Sequence, residues 1–292
     1  MGQSIHNAKE FLARLQSADG GWPYREGAQC FPEPTCYGLL ASYAGGNSGF
    51  SEDARVRGIG WLERLVSPDG AIVLDGDTGP NWATALLVLT LTRLGRSEDL
   101  KERCARWLLS LEGEPMEATK EVPFDSSLQG WPWMDATFSW VEPTSYALLA
   151  LKASGHGDHP RVAEAEKLLL DRGCADGGWN YGNREVLGRE LPPFVPTTAW
   201  AVMALQECPD AGTAIDGGLD YLEKEVGSHP SALSLSLGIL AFDIHGRSTD
   251  RFANMLTARQ EPDGSWRRAV YLTALATLAL DSLTGGANVF RL

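Results

Sequence analysis

SWVEPTSYALLALKASG, residues 139–155, decides how the chain is read. A Glu-Pro-Thr triplet stands directly before a segment with almost no polar face, and the same triplet opens a similar segment in FPEPTCYGLLASYAGG (31–46). A cousin, FVPTTAWAVMALQ (194–206), keeps the Pro-Thr pair. Pro34 and Pro143 suit the first turn of a helix, where the missing N–H leaves no bond unmade. Glu33 and Glu142 would interact favourably with the helix dipole, and Thr35 and Thr144 would fill the crowded first turn. A start signal used repeatedly implies a repeat, and the rest of the chain supplies one.

Each unit reads as a mixed helix, a loop of the Asp-Gly-Gly-Trp kind, and an apolar helix. IHNAKEFLARLQS leads to DGGW (19–22) and EPTCYGLLAS; RVRGIGWLERLVS leads to PDGAI and GPNWATALLVLTLTRLG. LKERCARWLLSLEG precedes LQGWPW (128–133) and the opening stretch, and RVAEAEKLLLDRG precedes DGGWNYG (176–182) and VPTTAWAVMALQ. In the fifth unit AIDGGLDYLEKEVG passes to SALSLSLGILAFDIHG without the glycine-tryptophan loop; in the sixth RFANMLTARQ leads to EPDGSW (261–266) and AVYLTALATLALDSL. First helices carry charge on one side, the pattern of a helix with one wet face. Second helices are apolar nearly all round and must be enclosed by protein. An inner ring of second helices wrapped by an outer ring of first helices satisfies both patterns. With no segment left over to cap an open stack, the six hairpins predict an all-α fold, a single (α/α)6 barrel over residues 1–292. An open superhelix of hairpins is the alternative.

Composition narrows the setting. Twenty-five Lys and Arg stand against 38 Asp and Glu, a formal charge of −13. Phosphate binding needs clustered cations, so a nucleic-acid partner is excluded, and adsorption to anionic lipid is disfavoured. No apolar run is long enough to span a bilayer. The odd count of five cysteines (Cys30, Cys36, Cys104, Cys174, Cys208) and the absence of a secretory apolar core in MGQSIHNAKEFLARLQ predict reduced thiols in a cytoplasmic protein. The five histidines show no ligand spacing, so neither a metal nor a cofactor is expected.

QSADGGW (16–22), with the looser forms LQGWPW, CADGGWNYG and RQEPDGSW (259–266), resembles the glutamine–tryptophan repeats of squalene–hopene and oxidosqualene cyclases, whose hairpin ring is shared by prenyltransferase β-subunits. The resemblance implies a structural role for Gln16/Trp22 and Gln260/Trp266, the amide bonding a neighbouring helix end and the indole stacking on it; Trp131 and Trp179 match only the Gly-Trp part. It implies an apolar isoprenoid-type ligand and a candidate acid. Matching the cyclase motif Asp-x-Asp-Asp-Thr-Ala onto WVEPTSYALLAL puts Thr144 on the motif threonine and Glu142 on the central, alkene-protonating acid. Trp140 and Pro143 then replace the flanking aspartates, and the partner carboxylate is lost. LDGDTG (74–79) holds a further acidic string, Asp75 and Asp77, several residues ahead of its helix. A zinc site of the prenyltransferase kind has no Asp-x-Cys to build on, and a glycosidase of the six-hairpin kind would need two carboxylates about 5–9 Å apart.

Glu142, Glu33, Asp75 and Asp77 are thus the candidate acids. Phe138, Trp140 and Tyr146 surround Glu142 in sequence, and Tyr37, Trp82, Trp200 and Tyr271 take similar places on other apolar helices. Such rings line apolar pockets and steady carbocations through their negative faces; as readily, they fill a core. Two functions follow. One is a terpene-cyclase-like protein that handles an isoprenoid in an aromatic-lined cavity, with cyclisation started by a non-standard acid. The other is a non-catalytic member of the same fold that binds an isoprenoid, a protein partner or a second chain.

Overall fold

The computed structural model describes residues 1–46, 49–74, 81–114 and 124–292. Among them the helices run, in chain order, α1 (Gly2–Leu15), α2 (Pro32–Ser42), α3 (Glu52–Glu63), α4 (Asn81–Leu94), α5 (Glu98–Ser110) and α6 (Val141–Ala153). They continue as α7 (Pro160–Asp171), α8 (Val195–Ala204), α9 (Gly212–Ser228), α10 (Ala232–Ile244), α11 (Asp250–Thr257) and α12 (Val270–Ser282). A two-stranded antiparallel hairpin, β1 (Glu185–Val186) and β2 (Arg189–Glu190), lies between α7 and α8. Even-numbered helices are buried on almost every side, whereas odd-numbered ones bury a single stripe. The two helix types read from the sequence are therefore the two burial types observed.

One set of hydrogen bonds recurs at the junctions. Each loop tryptophan donates its backbone N–H to a threonine hydroxyl in the first turn of the following apolar helix. The pairs are Trp22–Thr35 and Trp131–Thr144 at 2.9 Å, Trp179–Thr198 at 2.9 Å and Trp266–Thr273 at 3.0 Å. Ile72 makes the same bond to Thr84 at 3.0 Å, so the lock survives without the indole. Each indole N–H donates to the preceding odd-numbered helix, at Leu12, Leu108, Leu169 and Leu256. Those carbonyls lie near helix carboxyl ends, where i+4 donors run out; Leu108, Leu169 and Leu256 also accept a backbone N–H from the residue three further on. The fifth repeat has no such loop, and Ser231 and Ser234 cap α10 reciprocally instead.

The glutamine amides reach one repeat further. Gln16 Nε2 donates to Gly20 O and to Ala54 O in α3; Gln260 Nε2 donates to Gly264 O and to Ser4 O in α1. Gly20 and Gly264 have φ of +107° and +87°, and a Cβ at either would lie 2.2 Å from a carbonyl oxygen of the adjoining helix, Arg57 or Asn7. Only glycine permits that approach. Trp131 has no glutamine partner; Arg161 of α7 bonds the Gly130 carbonyl at 2.9 Å and lies over the Trp131 ring.

By packing the chain forms two compact units. The first is Met1–Val66 with His229–Arg291, and the second Ser67–Ser228 with Leu292. In the first, α12 packs between α2 and α10, with α3 on α2, α11 on α10 and α1 on α12. In the second, α6 packs between α4 and α8, with α5 on α4, α7 on α6 and α9 on α8. An odd-numbered helix thus packs on the apolar helix of the repeat before it. Helix α1 has no repeat before it and takes α12, the last.

Candidate functional site

Helix α6 carries the opening triplet and sits at the middle of the second unit. Trp140 is extended ahead of it, Val141 N–H donates to Tyr181 O at 3.1 Å, and Thr144 is held by Trp131. These bonds settle the direction of the first turn. Glu142 is only partly exposed there, one turn ahead of Tyr146, which is 4% exposed. The helix dipole favours an ionised carboxylate at this position. Burial wins, and the Glu142 carboxyl is pushed up to about 7. Among the described residues no side chain makes a hydrogen bond or ion pair to it.

One turn on from Glu142, starting at Tyr146, the rings form a row; Glu142 itself does not line the pocket of Trp133, Phe138 and Trp140. Tyr146 meets Trp200 of α8 at 4.6 Å between centroids and Trp82 of α4 at 6.3 Å. Trp82 in turn meets Trp133 edge-on at 6.0 Å. Trp133 also lines a pocket of about 640 Å³ with Phe138, Trp140, Met134, Ala136, Thr137 and Glu114. Phe138 and Met134 are 44% and 43% exposed, so the pocket has an apolar lip. The pocket loop is braced by bonds from Trp140 N to Trp131 O and from Gly130 N to Ser139 Oγ, and Ala136 turns it at φ +55°. The structure thus brings Trp82, Tyr146 and Trp200 together and places Phe138 and Trp140 around one pocket. Trp133, Met134 and Glu114 join that pocket without having been singled out in the sequence. The doubled tryptophan of LQGWPW was the available sign, since the repeat accounts for only Trp131.

The remaining candidates lie elsewhere. Glu33, at the register of Glu142, belongs to the first unit and accepts a hydrogen bond from the Tyr24 hydroxyl. Burial, and then the Glu33 charge, hold the Tyr24 hydroxyl well above its ordinary range. Tyr37 and Tyr271 meet edge-on at 5.2 Å in the same unit, with Phe290 6.5 Å from Tyr37. Asp75 and Asp77 lie outside the described residues. The second unit also holds a larger pocket, about 980 Å³, between the loop Gly173–Trp179 and α9; it contains none of the candidates. No group of three His, Cys, Asp or Glu side chains among the described residues is arranged to hold a metal ion. No helix among them is long and apolar enough to cross a membrane.

No family model matches the chain. Squalene–hopene cyclase of Bradyrhizobium diazoefficiens is 24% identical over 203 residues, which are 61% of this chain and 30% of that protein. The chain therefore matches under a third of that relative's length. The type II terpene cyclase MstE from Scytonema, in complex with geranylgeranyl dihydroxybenzoate, superposes with a TM-score of 0.67 at 14% identity. The likeness covers 96% of each chain. An α-amylase from Clostridium perfringens superposes with a TM-score of 0.68 at 11% identity, covering 96% of this chain and 98% of that one. At such identities the likeness shows the fold alone, the all-α toroid of helical hairpins that the repeats predict. In its repeats, its fold and its sequence the chain is thus similar to terpenoid cyclase-like proteins.

Proposed function

We propose that the chain handles an isoprenoid, received in the pocket of Trp133, Phe138 and Trp140, with Glu142 as the acid that starts a cyclisation. The supporting observation is the setting of Glu142, whose carboxyl is pushed up to about 7 by burial, has no side-chain partner among the described residues, and stands one turn ahead of Tyr146 in the row with Trp82 and Trp200. A carboxyl in that state still holds its proton in much of the protein at neutral pH, and the rings behind it present negative faces to a developing cation. The squalene–hopene and MstE likenesses point to the same chemistry. Five free thiols fit a protein kept in the reducing cytoplasm.

A second reading is binding without conversion. Transferring a proton to an alkene requires the carboxylate left behind to be stabilised, and among the described residues no donor is placed to do so. The experiment is incubation with linear isoprenoids, free and diphosphorylated, followed by product analysis and native mass spectrometry. A cyclised product that disappears in Glu142→Gln, with binding retained, supports the acid. Product formation unchanged in Glu142→Gln removes Glu142 from the mechanism, and binding without product leaves the second reading.

A further inference from the structure

We infer that Trp133 is the partition between the surface pocket and the ring row behind it, and that it sets how long a prenyl chain the site accepts. The inference rests on the isoprenoid reading above. Trp133 belongs to both places at once. Its ring lines the 640 Å³ pocket and also meets Trp82 edge-on, and the row continues from Trp82 through Tyr146 to Trp200.

Its position is not free to drift. The Trp133 carbonyl accepts from Asn81 N–H at 3.1 Å, which ties it to the first turn of α4, the helix that carries Trp82. On either side, Pro132 bridges to Ser139 and Thr137 Oγ1 donates to Met134 O at 2.7 Å. A large, nearly rigid ring fixed in this way forms a wall. A prenyl chain short enough to end against Trp133 fills the pocket. A longer one must displace that ring or leave its end in water. Among the described residues the only ionisable side chain in the pocket lining is Glu114, a carboxylate, and that chemistry selects an uncharged prenyl group over a diphosphate.

The probes are geraniol, farnesol and geranylgeraniol, titrated by calorimetry into the parent protein and into Trp133→Ala, Trp133→Phe and Met134→Ala. Met134 lines the same pocket but is not part of the ring row, and it controls for simple loosening of the lip. Removing the wall is expected to raise the affinity for geranylgeraniol relative to geraniol about tenfold or more in Trp133→Ala, the scale on which a pocket reads chain length. Trp133→Phe is expected to show a smaller shift in the same direction, and Met134→Ala none. Should Trp133→Ala fail to fold, Trp133→Phe carries the comparison. An unchanged length preference in a folded Trp133 variant, or an equal shift in Met134→Ala, overturns the partition while leaving the isoprenoid reading intact. No binding of any prenyl alcohol to the parent protein overturns the isoprenoid reading, and the partition with it.

Discussion

Glu33 and Glu142 occupy the same place in two copies of one triplet, yet their surroundings differ. Glu33 receives a hydrogen bond from Tyr24, whereas Glu142 has burial and no partner among the described residues. For Glu142 this has a measurable consequence. Between its ordinary value of 4.5 and about 7, the folded protein keeps a proton that the unfolded chain has released. Stability therefore falls as pH rises through that window and levels off above it. Glu142→Gln removes the slope, and at pH 8 the variant is expected to exceed the parent by up to about 3 kcal/mol, less where solvent reaches the carboxyl. Denaturant midpoints measured from pH 4 to 9 for both proteins check this. A parent curve flat between pH 5 and 7 would mean that Glu142 is solvated in the folded state. The presence of an acid in the first turn was legible in the triplet. Its protonation was not, because dipole and burial oppose one another and only the packing around α6 decides between them.

Between the loops and the apolar helices, threonine does more than fill a first turn. Its hydroxyl accepts a backbone N–H from 13 residues upstream in the first and third repeats, from 19 in the fourth and from 7 in the sixth. Because the two ends of each loop are pinned, its middle varies in length and content without disturbing the hairpin. The third repeat uses that freedom for the Trp133–Phe138 wall, and the fourth for the β1–β2 hairpin. Thr144→Val keeps the shape of the side chain and leaves the Trp131 N–H buried and unbonded. The expected cost is about 1–3 kcal/mol in equilibrium unfolding. A variant as stable as the parent would show that the bond is a by-product of packing. The threonine was visible in sequence at every junction except the fifth, but the variable spacing to its donor hid the pairing.

At the largest scale, the repeats are counted off by one rule, that an odd-numbered helix packs on the apolar helix of the preceding repeat. Within the first unit the rule carries α1 onto α12, with Gln260 bonded to Ser4 and Gly264 pressed against Asn7. Residues at opposite ends of the chain thereby stabilise each other. Leu12 is fully buried, and Leu12→Ala is expected to cost about 2–5 kcal/mol. The accompanying prediction is spatial: amide exchange should quicken in α12, more than 250 residues away, because that helix loses the face α1 covers. Exchange that quickens in α1 and α2 alone would mean that the two ends fold independently.

The amino-acid sequence by itself determined the number of hairpins, the alternation of half-wet and enclosed helices, and the likeness to the cyclase repeats, because periodicity and the glycine–tryptophan loops are local and repeat. It also placed an acid and several rings at the starts of the apolar helices. The tertiary structure decided which of them meet. Trp82, Tyr146 and Trp200 come together because α6 packs between α4 and α8, and Trp133 joins them because its carbonyl is tied to Asn81. Glu142 is separated in character from Glu33 by what surrounds each carboxyl. Proximity across helices and the local cost of solvating a charge are properties of packing, and no spacing along the chain encodes them.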